Sequence, residues 1–140
     1  MTKYCNKNEF GYEGYTDDLT ELELSDDAAY MNWGSKWQTP SDEQWTELRT
    51  ECTWTWTKQN DVNGYLVSSK INDNTIFLPA GGYHYNNSLY DTGTSDYYWS
   101  RTVNADNPSN AYGIYFNSSN VYRNGSIRFN GQSVRPVRSK

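Results

Sequence analysis

The sequence predicts an α+β fold in which two helices precede many short antiparallel strands joined by long loops. Three observations predict it: helix signals are confined to the first half, alternating patterns take over after Cys52, and turn residues then recur at short intervals. The order is helices first and strands afterwards, not the regular alternation of a parallel sheet. Ser25 offers an N-cap, Asp26 and Asp27 place acids in the first turn, Ala28, Ala29 and Met31 continue the helix, and Gly34 supplies a left-handed stop. A short extended stretch, Lys36-Trp37-Gln38-Thr39, follows. Pro40-Ser41 then opens a second helix in which Ser41 and Gln44 have capping-box spacing, and Trp45, Leu48 and Cys52 recur on one face, which is expected to be core.

The strands begin with Thr53-Trp54-Thr55-Trp56-Thr57, whose period is two. Asn60-Asp61 and Asn63-Gly64 are expected to bracket a turn into Tyr65-Leu66-Val67. Asn72-Asp73-Asn74 precede Thr75-Ile76-Phe77-Leu78, and Pro79 to Gly82 break that strand. Later strands are expected at 97–99, 111–116 and 133–137.

With 140 residues the chain fits one domain over 1–140, in which 1–24 is the less defined N-terminal edge. Its hydrophobic content of 35% is carried largely by 13 Tyr, 6 Trp and 4 Phe. A core of this kind must satisfy phenol and indole donors as well as bury rings, which suits a loop-rich fold. Aromatics spaced along the whole chain also argue against disorder. The net charge of −5 is uneven: eight acids and no Lys or Arg lie between residues 8 and 35, whereas the stretch after Ser100 holds five Arg and Lys140 against Asp106 alone. Isolated arginines in an acidic protein point to structural roles, with Arg128 and Arg135 expected as partly buried ties, and nucleic acid is not an expected partner. No apolar run is long enough for a helical membrane span, and the first ten residues lack the apolar stretch of a signal peptide. Cys5 and Cys52 leave two readings open, a disulfide or one buried and one exposed thiol.

Catalytic constellations are poor. His84 is the single histidine, with no neighbouring Ser or Cys motif to make a nucleophile pair, so a structural or surface role is expected. No metal site is expected either. Asp26-Asp27 reads as a helix start and Asp17-Asp18 as a solvated turn, and two cysteines do not make a tetrahedral zinc site.

Periodicity separates core from display in the last third. Within 111–116, Tyr112, Ile114 and Phe116 share one face and are expected inside, leaving Gly113 and Tyr115 on the other. Asn117 to Asn120 make a turn, Val121 returns inward, and an irregular stretch follows. The expected ligand-binding residues are Gly113, Tyr115, Tyr122, Asn124, Ser126, Ile127, Phe129 and Asn130, within a candidate region 111–138. Tyr supplies rigid contact area with a polar tip, while Ser, Asn and Gly supply adaptable hydrogen bonds, the chemistry of antibody binding loops. The opposing expectation is that Tyr122, Ile127 and Phe129 plug the core.

Eight motifs carry a resemblance: Asp26-Asp27-Ala28-Ala29, Asn32-Trp33-Gly34, Trp37-Gln38-Thr39-Pro40, Glu43-Gln44-Trp45, Cys52-Thr53-Trp54-Thr55-Trp56, Ile76-Phe77-Leu78-Pro79-Ala80-Gly81-Gly82-Tyr83, Tyr98-Trp99-Ser100 and Ser133-Val134-Arg135-Pro136-Val137-Arg138. In this order, over about 26–138, they resemble the Fibrobacter succinogenes major paralogous domain. The resemblance implies a C-type lectin-like fold of the formylglycine-generating-enzyme branch, which also holds the variable proteins of diversity-generating retroelements, phage tropism determinants among them. The aromatic, Gly-rich opening strand often found in relatives is missing, which implies a trimmed or naturally short domain. By resemblance the chain is a ligand-binding domain, receptor-recognising or adhesin-like, that is extracellular, on a cell surface or virion-associated and meets a surface protein or glycan. No enzyme activity and no cofactor are implied, because the branch's enzymes need reactive cysteines that the resemblance does not place at Cys5 or Cys52. The calcium triplets of sugar-binding relatives do not occur. As a binding module the chain is expected to use Trp33, Trp37, Trp45, Trp54, Trp56 and Trp99 as its rigid scaffold, and under the resemblance the diversified segment is 112–130. Adenine replacement in asparagine codons never yields Trp, Lys, Glu, Gln or Met, and 112–130 contains none of the five. The alternatives are a structural domain of a surface protein without a dedicated ligand and, third, a formylglycine-generating-type enzyme.

Overall fold

A computed structural model describes residues 1–138; Lys140, counted above with the basic C-terminal stretch, lies outside them. Helix α1 spans Ala28–Trp33 and α2 spans Asp42–Glu51. The strands are β1 (Trp37–Gln38), β2 (Cys52–Gln59), β3 (Val62–Ser69), β4 (Thr75–Pro79), β5 (Tyr83–Tyr85), β6 (Ser88–Tyr90), β7 (Ser95–Val103), β8 (Asn110–Asn117), β9 (Val121–Ile127) and β10 (Val137–Arg138). All strand pairs are antiparallel, in the orders β2-β3-β4, β7-β8-β9, β5-β6 and β1-β10. The fold class is therefore α+β with few helices and many antiparallel strands.

Local chemistry sets the element ends. Ser41 caps α2, its hydroxyl accepting from the Gln44 amide at 3.2 Å while the Gln44 side chain accepts from the Ser41 amide at 2.9 Å. The cap of α1 is Asp27, two residues later than expected. Its carboxylate is buried, accepts from the Ala29 amide at 2.8 Å, and also takes the Thr39 amide and hydroxyl at 2.9 and 2.7 Å. A serine hydroxyl has room for fewer such bonds than a carboxylate, and Asp27 uses its two oxygens to tie the helix start to the segment entering α2. The β2–β3 loop is Asn60-Asp61 alone, both at positive φ, the two-residue type I′ geometry that matches strand twist. Asn63-Gly64 lies inside β3, not in the turn, and Gly64 is needed there because a Cβ would sit 2.2 Å from the Leu78 carbonyl oxygen.

Sheets β2-β3-β4 and β7-β8-β9 face each other across the core, with α2 at the side. Trp45, Tyr65, Val67, Leu78, Ala80, Tyr98, Ile114 and Phe116 form its centre, and Leu48, Cys52, Trp54 and Trp56 pack against it. The polar tips are satisfied: Trp45 Nε1 donates to the Trp99 carbonyl at 3.1 Å, Trp54 Nε1 to that of Leu48 at 3.1 Å, Tyr65 to that of Asn117 at 2.9 Å and Tyr98 to that of Pro79 at 3.0 Å. Trp33 and Trp37 depart from the expected scaffold, being 54% and 37% exposed, because α1 and β1 present them away from this cluster. Cys5 is buried, Cys52 is half-buried, and both thiols are free.

The N-terminal segment packs on the body through Arg128, whose guanidinium donates to the carbonyls of Tyr4, Pro108 and Lys3 at 3.1, 3.0 and 3.3 Å. Arg128 is thus the expected tie, whereas Arg135 is exposed. Asp17 is not a solvated turn residue: its carboxylate accepts from the amides of Tyr4 and Cys5 at 2.7 and 2.8 Å. The expected strand over 133–137 is mostly irregular, with Ser133 making a single parallel bridge to Tyr98 and Val137 starting β10. Pro136 lacks the donor that a ladder needs.

Asp96, at the start of β7, is fully buried and takes three donors, the Gly81 amide at 2.9 Å, the Ser133 hydroxyl at 3.0 Å and the Tyr97 amide at 2.6 Å. Burial outweighs these bonds and pushes its carboxyl up to about 6. A folded-state pKa above the ordinary carboxylate value means that this group's stabilisation is complete below about pH 4 and is lost as pH rises through about 6. Wild type should accordingly lose about 2–3 kcal/mol relative to Asp96→Asn between these pH values in urea titrations. An unchanged stability difference across the range would contradict it.

Candidate functional site

The face of β7-β8-β9 turned away from the core carries a row of tyrosines in cross-strand register, Tyr97 opposite Tyr115 and Tyr115 opposite Tyr122. Ring centroids are 4.6 and 4.9 Å apart. Isolated bridges extend this surface, with Gly82 paired to Asp96, His84 to Gly131 and Tyr98 to Ser133, so that the β5-β6 hairpin and residues 131–133 join the sheet beside β7. The row then continues from Tyr97 to Tyr83 at 5.2 Å and from Tyr83 to Tyr90 at 5.5 Å. Tyr85 meets Phe129 at 5.9 Å. Exposed Leu89, Ile127 and Phe129 add apolar area, with Phe129 at 66% exposure. A patch of this kind exceeds the scattered apolar residues of an ordinary surface.

Burial, together with the neighbouring Tyr115, Tyr122 and Tyr83 rings and Asp91, pushes the Tyr97 phenol up to about 12. It therefore remains a protonated donor at physiological pH. The opposite face of β9 is structural: Arg123 lies 3.5 Å over the Tyr112 ring and donates to the Asp42 carboxylate at 2.8 Å, joining β9 to α2.

The structure places the expected display residues unequally. Tyr122, Asn124 and Ser126 lie on the outer face with Tyr115, and Asn124 Nδ2 donates to Ser126 Oγ at 2.9 Å. Tyr122, Ile127 and Phe129 are exposed and do not plug the core. Tyr115 is half-buried between two rings, and its phenol oxygen accepts from Asn117 Nδ2 at 3.1 Å. Gly113 is not a display position. It is buried, and a Cβ would lie 2.3 Å from the Tyr98 carbonyl oxygen, so the close approach of β7 demands glycine. The stretch from Val121 is a regular strand, not irregular. Sequence reasoning missed Tyr83, Tyr85, Tyr90 and Tyr97 as site residues. The available signal was Tyr83-His84-Tyr85 and Leu89-Tyr90 around Asn86-Asn87, a hairpin pattern in which Asn86 takes φ +52. His84 is exposed in β5, and its backbone pairs with Gly131. Among the described residues, no group of three or more His, Cys, Asp or Glu is placed to hold a metal ion, and no helix is long and apolar enough to cross a membrane.

These features define an α+β protein with an exposed aromatic sheet face. The chain belongs to the family described as a domain of unknown function, DUF8237, whose model matches residues 39–137, or 99 of its 140 residues. No curated protein and no solved structure matches it. The matched span holds Asp96 and the whole tyrosine row, while α1 and the Arg128-clamped N-terminal segment precede it.

Three substitutions rank scaffold against face. Trp45→Ala should cost about 3–5 kcal/mol and Gly113→Ala at least about 2 kcal/mol, because backbone must move. Tyr115→Ala removes two ring contacts and a hydrogen bond on a half-exposed face and should cost about 1–2 kcal/mol. Denaturant melts give the order, and a Gly113→Ala variant as stable as wild type would refute the close-approach argument.

Proposed function

We propose that this chain is a ligand-binding module of C-type lectin-like fold, a receptor-recognising or adhesin-like domain that uses the outer face of β7-β8-β9 and the β5-β6 hairpin to hold a surface protein or glycan. The exposed tyrosine row carries the reading. Cross-strand ring pairing stabilises the sheet, but a continuous ring row left open to water is more apolar surface than that pairing needs, and Tyr beside Asn and Ser is the composition of recognition surfaces. The C-type lectin-like assignment, and with it the resemblance to the Fibrobacter succinogenes major paralogous domain, is supported by two helices ahead of the strands and by motifs at positions that determine structure: the α2 cap, the β2 tryptophans and the chain end at β10.

Binding rather than catalysis is the reading, with no cofactor and no nucleic acid. The place of action is extracellular, on a cell surface or virion. Diversification is a further part of the proposal, since Tyr122, Asn124 and Ser126 share the outer face of β9, where side chains change without touching the core. A reverse transcriptase beside the gene, with a near-copy of the stretch encoding 112–137 that differs at adenines, would establish it.

The test is a library at Tyr115, Tyr122, Asn124, Ser126, Ile127, Phe129 and Asn130, restricted to residues reachable from asparagine codons and with Gly113 kept. Most members should melt cooperatively, since substitutions at exposed sites usually shift stability by about 0.5 kcal/mol and the half-buried Tyr115 adds about 1–2 kcal/mol. Folded members should differ in which bacterial surface proteins and glycans they retain. General aggregation, or one ligand common to all, would favour a structural domain instead.

A further inference from the structure

Beside the tyrosine row, a cavity of about 240 Å³ opens on the same face. Tyr83 and Tyr97 form one wall, and Asn124, Ser126, Asn130 and Gln132 supply its polar groups. That volume is the share of roughly eight waters in the liquid, enough for one sugar ring. None of its lining residues is charged. Arg123 on β9 and Arg128 just after it are engaged elsewhere, Arg123 with Asp42 on α2 and Arg128 with the N-terminal carbonyls.

Three details show what the cavity lacks. Asn130 lines the cavity, and its side-chain Oδ1, closed off from solvent, is without a hydrogen-bond partner among the described residues. Asn124 Nδ2 gives one of its two hydrogens to Ser126 Oγ, which leaves its second hydrogen and the Ser126 hydroxyl to donate and Asn124 Oδ1 to accept. Tyr83 and Tyr97 meet edge to face at 75°, so their rings present surfaces in two orientations around one space. Neutral amides and a hydroxyl at the side of aromatic rings, with no cation or carboxylate lining them, match a ligand that has an apolar C–H face and a rim of neutral hydroxyls.

We infer that this cavity is a saccharide subsite for an uncharged hexopyranose, gripped by ring stacking and side-chain amides without a metal ion. The inference rests on the binding-module reading and gives that face a ligand class. Across the Tyr97–Tyr115 pair lies a second, more open hollow of about 400 Å³ between Asp91, Thr94, Asn117 and Asn120. The intervening rings form a path for the next sugars of a chain. The Asp91 carboxylate along this path disfavours anionic sugars.

The intact chain, labelled with ¹⁵N, is titrated with glucose, galactose, mannose, N-acetylglucosamine and N-acetylgalactosamine, with neutral oligosaccharides of each, and with sialic and glucuronic acids. One or more neutral sugars should shift the amide signals of Asn124, Ser126, Asn130 and Gln132. The matching oligosaccharide should bind at least about tenfold more tightly than its monosaccharide. Chelator should change nothing, and the acids should bind more weakly. Asn130→Ala and Gln132→Ala, each checked for unchanged melting, should weaken binding at least about tenfold. A requirement for calcium, shifts confined to another surface, or silence across the panel would overturn the inference. If the panel is silent while a protein ligand selected against the tyrosine row binds, the saccharide assignment alone falls. If neither binds, the binding-module reading falls with it.

Discussion

The buried carboxylate of Asp96 is the constraint on which the outer face depends. It sits where three separate parts of the chain meet: the loop after β4 through Gly81, the first residues of β7, and the segment after β9 through Ser133. Each gives it one hydrogen bond, and each then continues into the aromatic surface, Gly81 into Tyr83, Asp96 into Tyr97, and Ser133 back to Gln132 and Asn130. A buried charge is tolerated only when it is fully bonded, and three donors in fixed directions leave little choice of geometry. Gly81 belongs to the same constraint, because a Cβ there would approach Asp96 Oδ2 to 3.1 Å.

Around this anchor the backbone is knitted from both sides. His84 and Gly131 exchange two amide bonds at 2.7 and 2.9 Å, and Ser133 bonds to Tyr97 and Trp99 on β7. The hairpin is thereby held beside the sheet, although neither β5 nor β6 exceeds three residues and a lone hairpin of that size is marginal in water. Two carboxylates divide the labour: Asp27 fixes the entry to α2, and Asp96 fixes the tyrosine face. The interior between the sheets is left to aromatic rings, among which the polar tips of Trp45, Trp54, Tyr65 and Tyr98 reach backbone carbonyls.

Much of this was legible in the sequence, and the failures have physical reasons. The Ser41–Gln44 cap and the alternation of Trp54 and Trp56 are local signals, and local chemistry decided them. Strand β9 was not legible because its inward positions are Val121, Arg123 and Gly125: a guanidinium packed on Tyr112 and a glycine replace the apolar residues that period-two reading requires. Gly113 has the parity of a displayed residue, but what excludes a side chain there is the Tyr98 carbonyl on the neighbouring strand, a contact that no single strand reveals. The tyrosine row itself joins Tyr83 and Tyr97 to Tyr115 and Tyr122, residues up to 39 positions apart; strand pairing aligns the last three, and the bridges around Asp96 bring Tyr83 beside them.

A face held in this way is preformed, which would lower the ordering cost of the recognition proposed for it. Native-state amide hydrogen exchange tests this most directly, read at Gly81, His84, Tyr97, Gly131 and Ser133 in the ligand-free protein. These amides should be protected nearly as strongly as that of Ile114 in the core, opening only with the whole molecule. Exchange at these five through low-energy local opening, with Ile114 still protected, would mean that the surface is not preformed and that Asp96 does not hold it.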